Sequence, residues 1–409
     1  MRLLRNNWFT QKADSHFRLL VGVLSAATMA LATGYYWVLI RKLGRATDVQ
    51  AHVAILYKAC LGQGAVAANF GFYRLVQAAS GFSCDLSRLL NTAVVVVAVA
   101  WGGLVSVSSY AGIGLLKRRA LAELPVDDAT QKVTGLMAAV CSCLVFPLPL
   151  NTADWYLGML PPNVFHNSTI LSAMPFSVLA FASGAHRLSQ PAKASKSDDL
   201  LLSLLLVVGG IFKPSYAFAF LPAYALLFAL KFRSQPAQLL RLTLVLLPVV
   251  LLVAGQLAWT NHHPKDTLHD ASVLAVGFPA GWHTFVPGYG IGQVLACMAG
   301  SFLVPVSAYS LRPDWLKRPA HQLAVLSLIA GLGIFMLIYE TGYRALHGNF
   351  IWQVVAANHV LHWLVCLESF SWAPANASQQ RKRMLLVGLL AIEVLSGIAY
   401  LIKALFLGI

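Results

Sequence analysis

The chain has 409 residues, of which 58% are apolar and only 11% charged, with a net charge of +15 and a mean hydropathy of +0.68. Ordinary globular chains are roughly 45–50% apolar and about 25% charged, and a soluble fold of this length would expose apolar patches that aggregate. The same figures exclude disorder, collagen, coiled coil and a disulfide-rich module, and they predict one all-α, polytopic transmembrane bundle over 1–409, with lipid rather than nucleic acid as the partner of its basic charge.

In chain order, MRLLRNNWFTQKADSHFR precedes the first apolar run and is long and charged for a cleaved signal, so that run reads as a retained helix. Windows of about 20 apolar residues cross the hydrocarbon core. Eleven occur, at about 18–40, 86–116, 131–150, 168–185, 199–212, 215–231, 238–259, 285–308, 322–340, 350–369 and 385–407. Between the first two, 46–58 and 66–81 are too short or too polar to span and predict two helices lying along the membrane surface. The fifth and sixth windows are short and meet at Lys213-Pro214-Ser215. Pro214 lacks a backbone donor and Lys213 is costly in lipid, so a broken hairpin entering only partway is the alternative there. Of the six Cys, Cys141, Cys143, Cys297 and Cys366 lie inside apolar runs, whereas Cys60 and Cys84 share one loop and are either bonded or free.

Basic residues set the orientation. With the N-terminus inside, twenty of the 30 Lys and Arg fall in inner segments, among them Lys117 to Arg119, Arg187, Arg241, Arg318 and Arg381 to Arg383. Positive-inside then predicts an outer C-terminus. Arg41, Lys42 and Arg45 resist this, following the first span on the outer side.

With this topology the chemically capable side chains gather in the outer loops. Asp48 and His52 are spaced i, i+4 and share a helix face. A carboxylate there can accept a proton from a hydroxyl, and the imidazole can tune it or bind phosphate. The alternative is that Asp48 caps a helix, with Thr47 as a competing cap. The segment 162–169, PNVFHNST, is a polar turn before a span, in which Asn167 or Ser168 can be the cap; that leaves His166 unexplained. An ammonium at the Lys213 break suits a phosphate or pyrophosphate, or else snorkels to headgroups. Glu340 and Arg344 can bridge each other. His262, His263 and His269 lack tight ligand spacing and predict no metal site. His359 and His362 lie inside the tenth window and are expected to hydrogen-bond neighbouring helices. Glu393, deep in the last window, is an intramembrane carboxylate with no partner evident in the sequence.

No Walker motif, Rossmann fingerprint, HExxH or nucleophile elbow occurs. An enzyme facing outward therefore needs a membrane-borne activated donor.

A long first outer loop with Asp48 soon after the first span resembles the GT-C superfamily of integral membrane glycosyltransferases. Thr47-Asp48 to His52, the Pro-Asn-x-x-His-Asn-x-Thr turn at 162–169, Lys-Pro-Ser at 213–215, and Gly348-Asn349-Phe350 with Trp352 extend the likeness to bacterial GT-C-type proteins of surface-polysaccharide loci. The resemblance implies a polyprenyl-phosphate-linked sugar as donor and a glycan or lipid-linked acceptor. It makes Asp48 the base with His52 beside it, and it has Lys213, with Arg344 or His166, holding the lipid phosphate. Asn163, Asn167, Glu340, Asn349, Trp352 and His263 become the substrate contacts. No Asp-x-Asp pair is present, which argues against a metal-dependent variant and leaves no cofactor expected. With no large C-terminal soluble domain, acceptor recognition is expected in the loops. The expected function is sugar transfer on the outer face of a bacterial plasma membrane. The alternatives are a surface-polysaccharide polymerase using lipid-pyrophosphate repeat units and a lipid-linked glycan flippase.

Overall fold

The computed structural model describes residues 15–44, 47–117, 127–149, 159–163, 165, 167–190, 195–262, 274–279, 288–341 and 349–406. The chain is an all-α polytopic bundle. Its helices are α1 (Ser15–Trp37), α2 (Asp48–Cys60), α3 (Gly71–Ala79), α4 (Leu86–Lys117), α5 (Asp128–Leu144), α6 (Ser168–Ser189), α7 (Lys196–Phe212), α8 (Ser215–Phe232), α9 (Pro236–His262), α10 (Ile291–Ser301), α11 (Leu303–Leu311), α12 (Pro319–Leu337), α13 (Trp352–Ser371) and α14 (Ala377–Phe406). A two-stranded antiparallel ribbon pairs β1 (Leu274–Val276) with β2 (Ile338–Glu340).

Each of the eleven apolar windows overlaps a helix, the eighth overlapping two. Seven helices are long and apolar enough to cross a membrane, and α10 with α11, bent by 63° at Phe302, makes an eighth if the pair is one span. The remaining three depart for physical reasons. Helices α5 and α7 have 17 residues each, about 26 Å at the helical rise. Helix α13 is long enough but carries Gln353, Asn358, His359, His362 and Glu368.

That polarity decides the architecture. Lipid cannot hydrogen-bond such groups, and α13 is buried at every residue from Trp352 to Ser369. It runs through the middle of the bundle against α5, α6, α8, α11, α12 and α14. The apolar α9 takes the opposite position: only 11% of its spanning window is buried, against 78% for α6. Small residues permit the closest approaches. A Cβ on Gly102 of α4 would lie 2.6 Å from the Ser25 carbonyl of α1, and one on Gly397 of α14 would overlap the Leu144 carbonyl.

Helices α2 and α3, with 13 and 9 residues, are too short to span. Val49, Val53, Leu56, Phe72, Tyr73 and Val76 bury a small core of their own against Tyr36, Leu89, Val97 and Leu171. Cys60 and Cys84 form a disulfide that closes this unit, with Cα atoms 5.8 Å apart. The surface pair thus sits on the bundle end that holds the starts of α4 and α6.

Candidate functional site at one end of the bundle

Helix α2 starts at an extended Thr47, whose N–H donates to Gln50 Oε1 at 2.8 Å. The cap position therefore belongs to Thr47, and Asp48, the first helical residue, is left for other work. Its Oδ2 accepts a hydrogen bond from Asn167 Nδ2 at 2.7 Å. Asn167 is itself fixed: its Oδ1 caps α6, accepting from the Ile170 N–H at 3.0 Å and the Thr169 hydroxyl at 3.0 Å. The amide cannot turn over without losing the cap, so it presents a donor to Asp48 and aims that carboxylate.

One turn on, His52 shares the face of Asp48. Its Nδ1 lies 2.6 Å from the Tyr73 hydroxyl, and the ring meets Phe72 and Tyr73 edge-on at 5.9 and 5.4 Å. Burial, and then the charge of Lys213, push the imidazole down to about 3. His52 is a neutral imidazole at neutral pH, suited to tuning a neighbour rather than to attracting phosphate by charge. The Tyr73 phenol is pushed up, by burial first and then by Asp48.

Lys213 follows α7 in extended conformation, and Pro214, which has no N–H, sets the start of α8. The exposed carbonyl at the α7 end is covered from the surface pair, where Asn69 Nδ2 donates to Phe212 O at 3.0 Å. The Lys213 ammonium sits 5.3 Å from the centroid of the Trp352 ring. Burial pulls it down to about 8, while Asp48 and Glu340 oppose that shift. It is a cation at neutral pH, held near its titration point. Glu340 arrives at the end of β2, placed by the ribbon opposite Leu274, and accepts from Asn349 Nδ2.

Asp48, His52, Asn167, Lys213, Glu340, Asn349 and Trp352 are therefore brought to one end of the bundle from five separate stretches of chain. Asn163 occupies a different position. It is 5% exposed, and its Nδ2 donates to the carbonyls of Ser142 and Val145 at 2.6 and 2.8 Å, so it pins the turn to the end of α5. His166, His263 and Arg344 lie outside the described residues, as does His269. Tyr73, Asn69 and Gln50 were not signalled by the sequence. Only the Thr-x-x-Gln spacing of Thr47 and Gln50 carries a local hint, as a capping pair.

The two histidines of the tenth window reach partners elsewhere. His359 Nδ1 faces Pro162 O at 3.2 Å and Asn163 Oδ1 at 3.1 Å. His362 Nε2 lies 3.3 Å from Glu393 Oε2, which supplies the carboxylate of α14 with a partner. Compared with known proteins, the chain matches no protein-family model and no curated protein.

Proposed function

We propose that the protein is a membrane glycosyltransferase that moves a sugar from a polyprenyl-phosphate-linked donor to a glycan or lipid-linked acceptor. The observation that carries this reading is the meeting of Asp48, aimed by Asn167, with Lys213, which feels the Asp48 charge and in turn acts on His52. Asp48 accepts the proton of the acceptor hydroxyl as its oxygen bonds the anomeric carbon. The anomeric carbon–oxygen bond to phosphate breaks, and the lipid phosphate leaves with its charge held by Lys213. Trp352 offers an aromatic face beside that ammonium. A polymerase acting on lipid-pyrophosphate repeat units would use the same step.

Sidedness is part of the proposal. With the Asp48 end outside a bacterial plasma membrane and the N-terminus inside, twenty of the 30 basic residues lie inside. The Cys60–Cys84 disulfide also suits an oxidising exterior. A second reading, a lipid-linked glycan flippase, draws on the His362–Glu393 pair between α13 and α14, since intramembrane ionisable pairs mark transport pathways. The test is turnover by purified protein given a polyprenyl-phosphate sugar and a hydroxyl acceptor. Sugar transfer that vanishes in Asp48→Asn supports the transferase. Full turnover by a folded Asp48→Asn protein removes Asp48 from the site, and donor translocation without transfer favours the flippase.

A further inference from the structure

Away from Asp48 and Lys213, α13 and α14 bury a pair that sugar transfer does not use. His362 Nε2 and Glu393 Oε2 lie 3.3 Å apart and both side chains are 1% exposed. His362 Nδ1 faces the Asn358 carbonyl at 2.9 Å. A carbonyl only accepts, so Nδ1 carries a hydrogen, and in a neutral imidazole Nε2 is then a bare lone pair. That lone pair lies 3.3 Å from a carboxylate oxygen. Neither carboxylate oxygen, nor Nε2, receives a hydrogen bond from a described residue. His359 repeats the pattern beside it. Asn163 donates through Nδ2 to two carbonyls, which turns its Oδ1 toward His359 Nδ1 and leaves His359 Nε2 as another acceptor without a donor.

Acceptors facing one another in a water-poor interior repel and are costly. One proton between His362 and Glu393 converts the contact into a charge-assisted interaction. We propose that His362 and Glu393 together form an intramembrane proton-binding site that holds one proton between imidazole and carboxylate. The titratable groups that act on the pair are His359, beside His362, and Cys366, beside Glu393, both on α13; Cys366 in turn faces Cys141 and Cys143 of α5. Among the described residues, His362 is the only basic side chain within ion-pair distance of Glu393.

The location gives the proton a consequence. At the same turn of α14, the Glu393 carbonyl accepts from the Phe146 N–H at 3.1 Å and the Ser396 hydroxyl donates to Pro147 O at 2.9 Å. The proton joins α14 to α13 where α14 also grips the segment after α5. Its loss leaves a buried carboxylate against a lone pair and loosens that junction. This inference does not depend on the glycosyltransferase reading.

The sign of the pH effect follows from counting protons. Unfolded Glu and His titrate near roughly 4.3 and 6.5, so above about pH 6.5 the unfolded chain holds no proton on either group while the folded pair holds one. Folding then takes up a proton, and the unfolding constant rises by up to about tenfold per pH unit. The experiment is reversible unfolding of the full chain in lipid-containing micelles at roughly pH 7 to 9, wild type beside Glu393→Gln. The Gln amide gives Nε2 a permanent N–H, which keeps the contact without the proton. The expected result is a wild-type to variant ratio of unfolding constants that climbs with pH by up to about tenfold per unit; a ratio that stays flat overturns the proposal. Where the variant does not fold, the wild type decides alone. At about pH 8 it should show either a doubly protonated imidazole in the spectrum of 15N-histidine-labelled protein or a protonated-carboxyl infrared band. Absence of both overturns it.

Discussion

The two ends of the bundle treat their charges in opposite ways. Helix α6 has Asn167 at its cap and Arg187 in its last turn, α13 has Trp352 first and Glu368 in its last turn, and α7 has Asp199 in its first turn and Lys213 just past its end. At the far end every carboxylate named is ion-paired. Asp199 takes Arg187 and also Arg241, the latter at 2.7 Å. Glu368 takes Arg318 at 2.6 Å and His321 at 3.1 Å. Arg312 binds Asp314 at 2.6 Å and stacks on Trp372 at 4.6 Å. At the near end, Asp48 receives one amide donor and Lys213 an aromatic face, and among the described residues neither forms an ion pair. Paired charges hold helices together; a carboxylate and an ammonium outside any ion pair have capacity to spend on a substrate.

The largest effect that could break this contrast is on chemistry. Asp48→Asn keeps shape and a hydrogen-bonding amide but cannot take a proton, so transfer should fall by roughly 10²–10⁴-fold with an unchanged melting midpoint, since Asp48 does not fill the cap position. Next comes stability at the far end. Asp199→Ala strands Arg187 and Arg241 and should cost roughly 3–5 kcal/mol, read as lost monodisperse protein and a lowered unfolding midpoint. Equal instability of the Asp48 and Asp199 variants would erase the distinction between the ends.

Lys213 sharpens it. The ammonium titrates at about 8, so donor affinity should be full below that pH and weaken above it as the charge is lost. Lys213→Arg, which stays charged, should remove the decline, and Lys213→Ala should weaken donor binding by roughly 10- to 100-fold, the worth of a charged hydrogen bond. A donor-binding profile that stays flat past the titration point in the wild type would release Lys213 from the phosphate. The smallest effect is Tyr73→Phe, which deletes the 2.6 Å contact to His52. It should cost about 0.5–1.5 kcal/mol and lower turnover only a few-fold, measured as kcat at saturating donor.

Much of the fold was legible because lipid makes helix length and apolarity explicit. Every one of the eleven windows overlaps a helix, and the short helices α2 and α3 fall at 46–58 and 66–81, α2 running two residues further to Cys60. What hydropathy could not show was rank within the bundle. The polar α13 reads as a weak span in one dimension and is the central helix in three. The meeting of Asp48 with Lys213 was implied by sidedness, but Asn167 as the residue that aims Asp48 was not, because the turn pattern suggests only a cap. Thr47 standing at the cap position resolves a choice that residue types alone left open. The Glu393 partner was not legible, and the Cys60–Cys84 bond was legible only as one of two alternatives, because contacts across 31 and 24 positions of sequence leave no local period.

The most direct measurement is a map of the protein with bound polyprenyl phosphate. The account predicts the phosphate within roughly 2.7–3.2 Å of Lys213 Nζ, with its first isoprene beside Trp352 and Asp48 facing the phosphate-bearing end. Phosphate density settled instead among Arg312, Arg318 and Arg383 at the far end, with nothing beside Lys213, would contradict it.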